Sequence, residues 1–252
     1  MYGLGVKDPD RKIGPKICVS LSGSSVEAML QALKDSTPYA DLAEIRLDAV
    51  SDTKRLDIGV LIKNSPLPLI FTNRPFWEGG GFSGDEADRL RPLLEAARSG
   101  AEFIDIELRA EPRIRSSILK EARRCGCKVI ASFHDFSGTP DDSLLLRAIE
   151  ESCDIGADIA KIAVMARSED DVRRVLSLYF RRPSGRTGSI PLIAFAMGPL
   201  GRASRLACVF LGSYLTFASP AGGAETAPGQ IPLREMRAMV DYLSGRQPEL
   251  TF

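Results

Sequence analysis

Short runs rich in valine and isoleucine alternate with longer amphipathic stretches from about residue 16 to about residue 245, and no other feature constrains the fold as much. Apolar strands separated by helices are the pattern of βα units around a parallel sheet. Segments 99–106, 125–131 and 155–162 each read as a helix end, a glycine and then a buried strand. Glycine suits that place because the residue that ends a helix often needs a left-handed backbone. Gly100, Gly126 and Gly156 fall 26 and 30 residues apart. Eight equal units would each have about 31 residues, the size of a βα unit in a (β/α)8 TIM barrel. Strands are expected at 16–21, 42–47, 69–72, 103–106, 129–132, 158–162, 191–195 and 213–217. Helices between them are signalled by the apolar face of Leu90, Leu93, Leu94 and Ala97 and by a Ser24-x-x-Glu27 capping box. Stretches rich in proline and glycine are short and sit between a strand and a helix, so one domain over 1–252 is expected, with a barrel core of about 16–245. Loops 78–84 and 218–229 carry enough glycine to be read as lids.

Charge and cysteine content narrow the function classes. Lysine plus arginine equals aspartate plus glutamate at 33 each, so net charge gives no pull toward nucleic acid or acidic lipid. An anionic ligand would have to be held by local arginines. Five scattered cysteines, an odd number, do not form a disulfide framework and fit a reducing cytoplasm. The first eleven residues are polar, and no stretch reaches the roughly 18 apolar residues that span a bilayer. A soluble, cytoplasmic protein without a membrane partner is therefore expected.

A few residues stand where chemistry would be done. His134, the only histidine, stands in Ser132-Phe-His-Asp-Phe136 directly after the apolar run ending at Ala131, which in a barrel is the catalytic face. It can serve as general acid and base, or as a plain hydrogen-bonded loop histidine. Lys161 lies within Asp158-Ile-Ala-Lys-Ile-Ala-Val164, apolar on both parities. A buried ammonium is costly unless paired, which favours a neutral amine able to attack a ketone; the bland reading is a lysine paired with a carboxylate or reaching water. Strand alternation sends Glu44, Arg46 and Asp48 to one side, as ligand contacts or as an internal salt-bridge layer. Arg74 and Arg205 follow the third and seventh strands and could clamp a carboxylate if they face inward. Residues 79–84 match G-x-G-x-x-G, but the glycines stand too far beyond the strand for a dinucleotide turn. One histidine and a lone Cys125-x-Cys127 do not make a zinc set.

Five motifs in order, Glu44-Ile-Arg-Leu-Asp48, Arg74-x-x-x-Glu-Gly-Gly80, Ser132-x-His-Asp-Phe136, Lys161-Ile-Ala163 and Thr226-Ala-Pro-Gly-Gln230, resemble those of type I 3-dehydroquinate dehydratases over nearly the whole chain. The resemblance implies a shikimate-pathway lyase in which Lys161 forms a Schiff base with the C3 ketone of 3-dehydroquinate. His134 would move the C2 proton and protonate the leaving C1 hydroxyl, with Glu78 orienting the imidazole. Arg205 would pair with the substrate carboxylate, and Ser20, Glu44, Arg46, Arg74, Thr226 and Gln230 would complete the pocket. It implies no cofactor and no metal, and a homodimer. Two departures stand out: Phe133 where many relatives carry asparagine, and Thr226 where many carry serine. Two other readings are a class I aldolase-like Schiff-base barrel, expected to turn over a sugar phosphate, and a barrel that binds a small acid without turnover.

Overall fold

A computed structural model describes residues 14–23, 25–50, 56–181, 190–222 and 225–246. The first eleven residues and Ser24, on which two of the readings above rest, lie outside them.

Eight parallel strands alternate with helices: β1 (Ile17–Leu21), α1 (Val26–Ser36), β2 (Leu42–Arg46), α2 (Ile58–Asn64), β3 (Leu69–Thr72), α3 (Glu86–Arg98), β4 (Phe103–Glu107), α4 (Pro112–Cys125), β5 (Lys128–Asp135), α5 (Asp142–Asp154), β6 (Ile159–Met165), α6 (Glu169–Ser177), β7 (Leu192–Met197), α7 (Gly198–Phe210) and β8 (Thr216–Ser219). A two-residue β9 (Ile231–Pro232) and α8 (Leu233–Leu243) follow. The strands run in the order β7-β6-β5-β4-β3-β2-β1-β8-β9. The edges meet at the seam between β7 and β8, where the Tyr214 N–H donates to the Leu192 carbonyl at 2.8 Å. This is the (β/α)8 barrel expected from the alternation.

Local signals explain the helix ends. Gly100, Gly126 and Gly156 all take positive φ, at 93°, 72° and 75°, as their places after helices required. The cap of α1 falls on Ser25, one residue beyond the expected position, with Oγ accepting from the Ala28 N–H at 3.2 Å. Pro112 opens α4, where its missing N–H costs nothing, and Ser168 with Asp171 forms a full capping box on α6. Leu90, Leu93 and Ala97 of α3 are buried against the sheet, as are Ile45, Ile104 and Ile106 on its outer face. No described helix is long and apolar enough to cross a membrane.

Strands β5 and β6 run three residues beyond their expected ends because the ladder between them continues, pairing Phe133 with Ile162, His134 with Ala163 and Asp135 with Val164. Hydrophobic pattern marks where a strand is apolar, not where its hydrogen bonds stop. Ala218 and Ser219, read as loop, belong to β8, and Ala218 pairs with Ile231 of β9.

Candidate active site

At the carboxyl ends of the strands the barrel interior changes from apolar to charged. The register sets Ser20 beside Glu44, Thr72 beside Asp105 and Ser132 beside Lys161. Glu44 accepts from Ser20 Oγ at 2.5 Å and Thr72 Oγ1 at 2.8 Å. Lys161 Nζ donates to Asp105 Oδ2 at 2.8 Å, lies 3.8 Å from Glu44, and sits 4.2 Å from the centre of the Phe217 ring. Arg74 Nη2 donates to Asp105 at 2.8 Å, and its Nη1 donates to Glu107 at 2.5 Å and Ser132 Oγ at 2.7 Å. Burial works against charge on Asp105, but Arg74 and Lys161 outweigh it and hold that carboxyl well below the usual range.

Above this layer stands His134, whose Nδ1 is 2.9 Å from Glu78 Oε2. Burial, reinforced by the Arg74 and Lys161 cations, keeps its imidazole neutral to well below the ordinary histidine range. Burial raises the Glu78 carboxyl to about 7, Arg74 and Arg109 opposing it and Glu107 adding to it. With Glu78 ionised, Nδ1–H donates to it and Nε2 keeps a free lone pair for the cavity.

The opposite wall comes from β7, α7 and the segment before β9. Arg205 is fully buried, its guanidinium 4.4 Å from the Phe195 ring, and its Nη2 donates to the Pro228 carbonyl at 2.9 Å. Nε has no partner, and among the described residues no carboxylate pairs with this cation. Burial accordingly pulls its pKa down to about 10. Gln230 Oε1 accepts from the Thr226 N–H at 2.8 Å, Thr226 Oγ1 donates to Ser20 Oγ at 2.8 Å, and Arg46 Nη1 reaches the Thr226 carbonyl at 3.2 Å. The Arg46 fork is otherwise held by Asp48, at 2.9 and 2.7 Å. Glu44, Arg46, Arg74, Glu78, His134, Lys161, Arg205, Thr226 and Gln230 all line one cavity at this end of the barrel. Ser20 is the one expected site residue not on that lining; it lies behind Glu44 and Thr226 and ties them together.

The family described as type I 3-dehydroquinase matches residues 17–247 of this sequence. The chain belongs to that family. A 3-dehydroquinate dehydratase of Desulfotalea psychrophila is 40% identical over 227 residues, 89% of this chain and 96% of the relative. The crystal structure of the Geobacillus kaustophilus 3-dehydroquinate dehydratase superposes with a TM-score of 0.82 at 32% identity, covering 92% of each chain. The type I enzyme of Clostridium difficile, solved with covalently modified comenic acid, gives 0.80 at 28% identity over 92% of this chain and 93% of the other.

Within this dehydroquinase site, sequence reasoning missed Asp105, Glu107 and Arg109. The first two alternate with Ile104 and Ile106 along β4, so period-two reading of 103–107 would have turned both carboxylates inward. The 78–84 loop, read as a lid from its glycines, is packed instead. A Cβ on Gly80 would stand 2.1 Å from the Arg74 carbonyl oxygen, and the Gly81 N–H donates to Asp48 Oδ2 at 3.0 Å. Glycine there serves close approach rather than mobility. Gly229 is similarly confined, since its added Cβ would lie 2.4 Å from the Gly198 carbonyl oxygen.

Proposed function

We propose that this chain dehydrates 3-dehydroquinate to 3-dehydroshikimate through an imine on Lys161, as the family's hydro-lyase of the shikimate route. The observation that carries the reading is the placing of Lys161 and a neutral His134 on the same face of adjacent strands, lining one cavity with a buried arginine that lacks an anion.

Lys161, paired with Asp105 as an ammonium, first gives up a proton to solvent; its free amine then adds to the C3 carbonyl and water leaves, giving an imine that withdraws electrons from C2. His134 Nε2 takes the C2 proton, and the resulting enamine expels the C1 hydroxyl, which leaves as water with the proton His134 returns. Water then hydrolyses the conjugated imine and frees Lys161, so the net change is loss of one water from the substrate. Arg205 offers the carboxylate seat, because a substrate anion would give this buried cation the partner it lacks. Glu44 and Arg46 meet hydroxyls, Arg74 holds the charge pattern around Asp105, and Thr226 and Gln230 cover the pocket. That the Clostridium difficile relative was solved with covalently modified comenic acid is in keeping with a nucleophile in the family. Neither a cofactor nor a metal is called for by these steps. A cytoplasmic homodimer of one-barrel chains completes the proposal, and sedimentation of the purified protein tests its oligomeric part.

The test is to mix protein with 3-dehydroquinate and borohydride and map adducts by peptide mass spectrometry, while an unreduced sample is followed by enone absorbance. Enone formation with an adduct on Lys161 is expected; folded protein yielding neither would overturn the reading. His134→Ala is expected to lower kcat by about 10² or more while borohydride still traps the imine, because only proton transfer is lost. Loss of trapping together with kcat would remove the base role from His134.

A further inference from the structure

Arg109 follows β4 and belongs to none of the motifs above, yet it is wired to the proton-transfer pair. Its Nε donates to Glu78 Oε1 at 2.9 Å, and its Nη2 donates to the backbone carbonyl of His134 at 2.6 Å. Two aromatic rings hold the guanidinium, Trp77 at 5.7 Å and Phe133 at 5.1 Å. Phe133, the departure beside the histidine, thus serves as one wall of an arginine slot. One planar fork grips both the carboxylate that orients the imidazole and the backbone that carries it, a geometry lysine cannot reproduce.

We propose that Arg109 is a positioning residue that keeps Glu78 ionised and so fixes His134 in the Nδ1–H tautomer, with Nε2 open to accept the substrate proton. The inference rests on the dehydration reading. Protonating Glu78 would turn it into a donor to Nδ1, move the imidazole proton to Nε2, and close the base. The groups facing Glu78 are Arg74, at 3.7 Å, together with Glu107, Arg109 and His134. Those facing His134 are Arg74, Lys161, Asp105 and Arg46 besides Glu78. Arg109 is the half-exposed member of this set, with 47% of its side chain in contact with solvent, so its influence is screened but not lost. Because Arg109 favours the Glu78 carboxylate, its removal raises the pH at which the pair takes up its proton.

The experiment compares wild type, Arg109→Leu and Arg109→Lys. The acid limb of kcat/KM against pH is expected to move upward by roughly 0.5 to 1 unit in Arg109→Leu and by less in Arg109→Lys, which keeps charge but not the fork. As the chain has a single histidine, ¹⁵N-histidine labelling reads one imidazole without any turnover. Near pH 8, above the Glu78 value of about 7, the wild type should show Nδ1–H, and Arg109→Leu should gain Nε2–H. If wild type turns over but both variants keep its acid limb and its imidazole spectrum, losing only yield or Tm, Arg109 is structural and the inference fails. Wild type without turnover would sink the dehydration reading instead, leaving the tautomer comparison to decide on Arg109. Should Arg109→Leu not fold, Arg109→Lys decides by the same two readouts.

Discussion

Lys161→Ala is expected to cut kcat by about 10⁴-fold or more and to abolish borohydride trapping, while leaving a folded protein. Lys161 is the one lysine on the cavity lining among the described residues, so no neighbouring amine can take over the attack. The fold should survive because both carboxylates keep other partners. Asp105 retains Arg74 at 2.8 Å and Ser132 Oγ at 2.6 Å, and Glu44 retains the hydroxyls of Ser20 and Thr72. A buried anion that loses one of several partners costs less than one left alone, here about 1–3 kcal/mol. Urea unfolding and peptide mapping of the trapped protein check both halves. Dehydration near the wild-type rate in this variant would remove the imine from the mechanism.

The parts of this site that could be read in the sequence were those where pattern and chemistry disagree. Lys161 stood out because both its strand neighbours are apolar, and His134 because a solitary imidazole follows a buried run. Glu44 and Arg46 followed from strand parity, and the structure sets both on the cavity. Asp105 was equally available to parity but was passed over when 103–106 was read as a uniformly buried strand. Arg109 left no trace, since it lies just past β4, where no periodicity tells which way a side chain turns; only the fold brings it to Glu78. Strand β9 was invisible for a similar reason. Two residues, one of them Pro232, carry no alternation, and they pair with β8 directly after Gln230, which lines the pocket. Glycine misled in one respect, because composition does not separate a residue needed for mobility from one needed for close packing, as Gly80 shows.

Arg74→Met is expected to cost about 3–5 kcal/mol at neutral pH, the largest stability loss from any single change at the site. Its guanidinium contacts Asp105, Glu107 and Glu78, three carboxylates with essentially no solvent of their own. Methionine fills the space but leaves them facing one another, with Arg89 on Glu107, Arg109 on Glu78 and Lys161 on Asp105 as the cations that remain. The pH dependence gives the sharper test. In the wild type, Asp105 is held below the usual range, so its contribution is present above the unfolded carboxyl pKa and is lost only in strong acid. Glu78, already raised to about 7, works the other way: the fold binds its proton more tightly than the unfolded chain, and stability falls as pH rises from the ordinary carboxyl range toward 7. Removing Arg74 raises the folded pKa of all three carboxyls. The variant therefore moves further into this second regime, and its deficit should shrink as these groups regain protons at pH 5 and widen at pH 8. Urea unfolding of both proteins at pH 5, 7 and 8 measures this, and a deficit constant across the three would mean that Arg74 stabilises the barrel by packing rather than by charge.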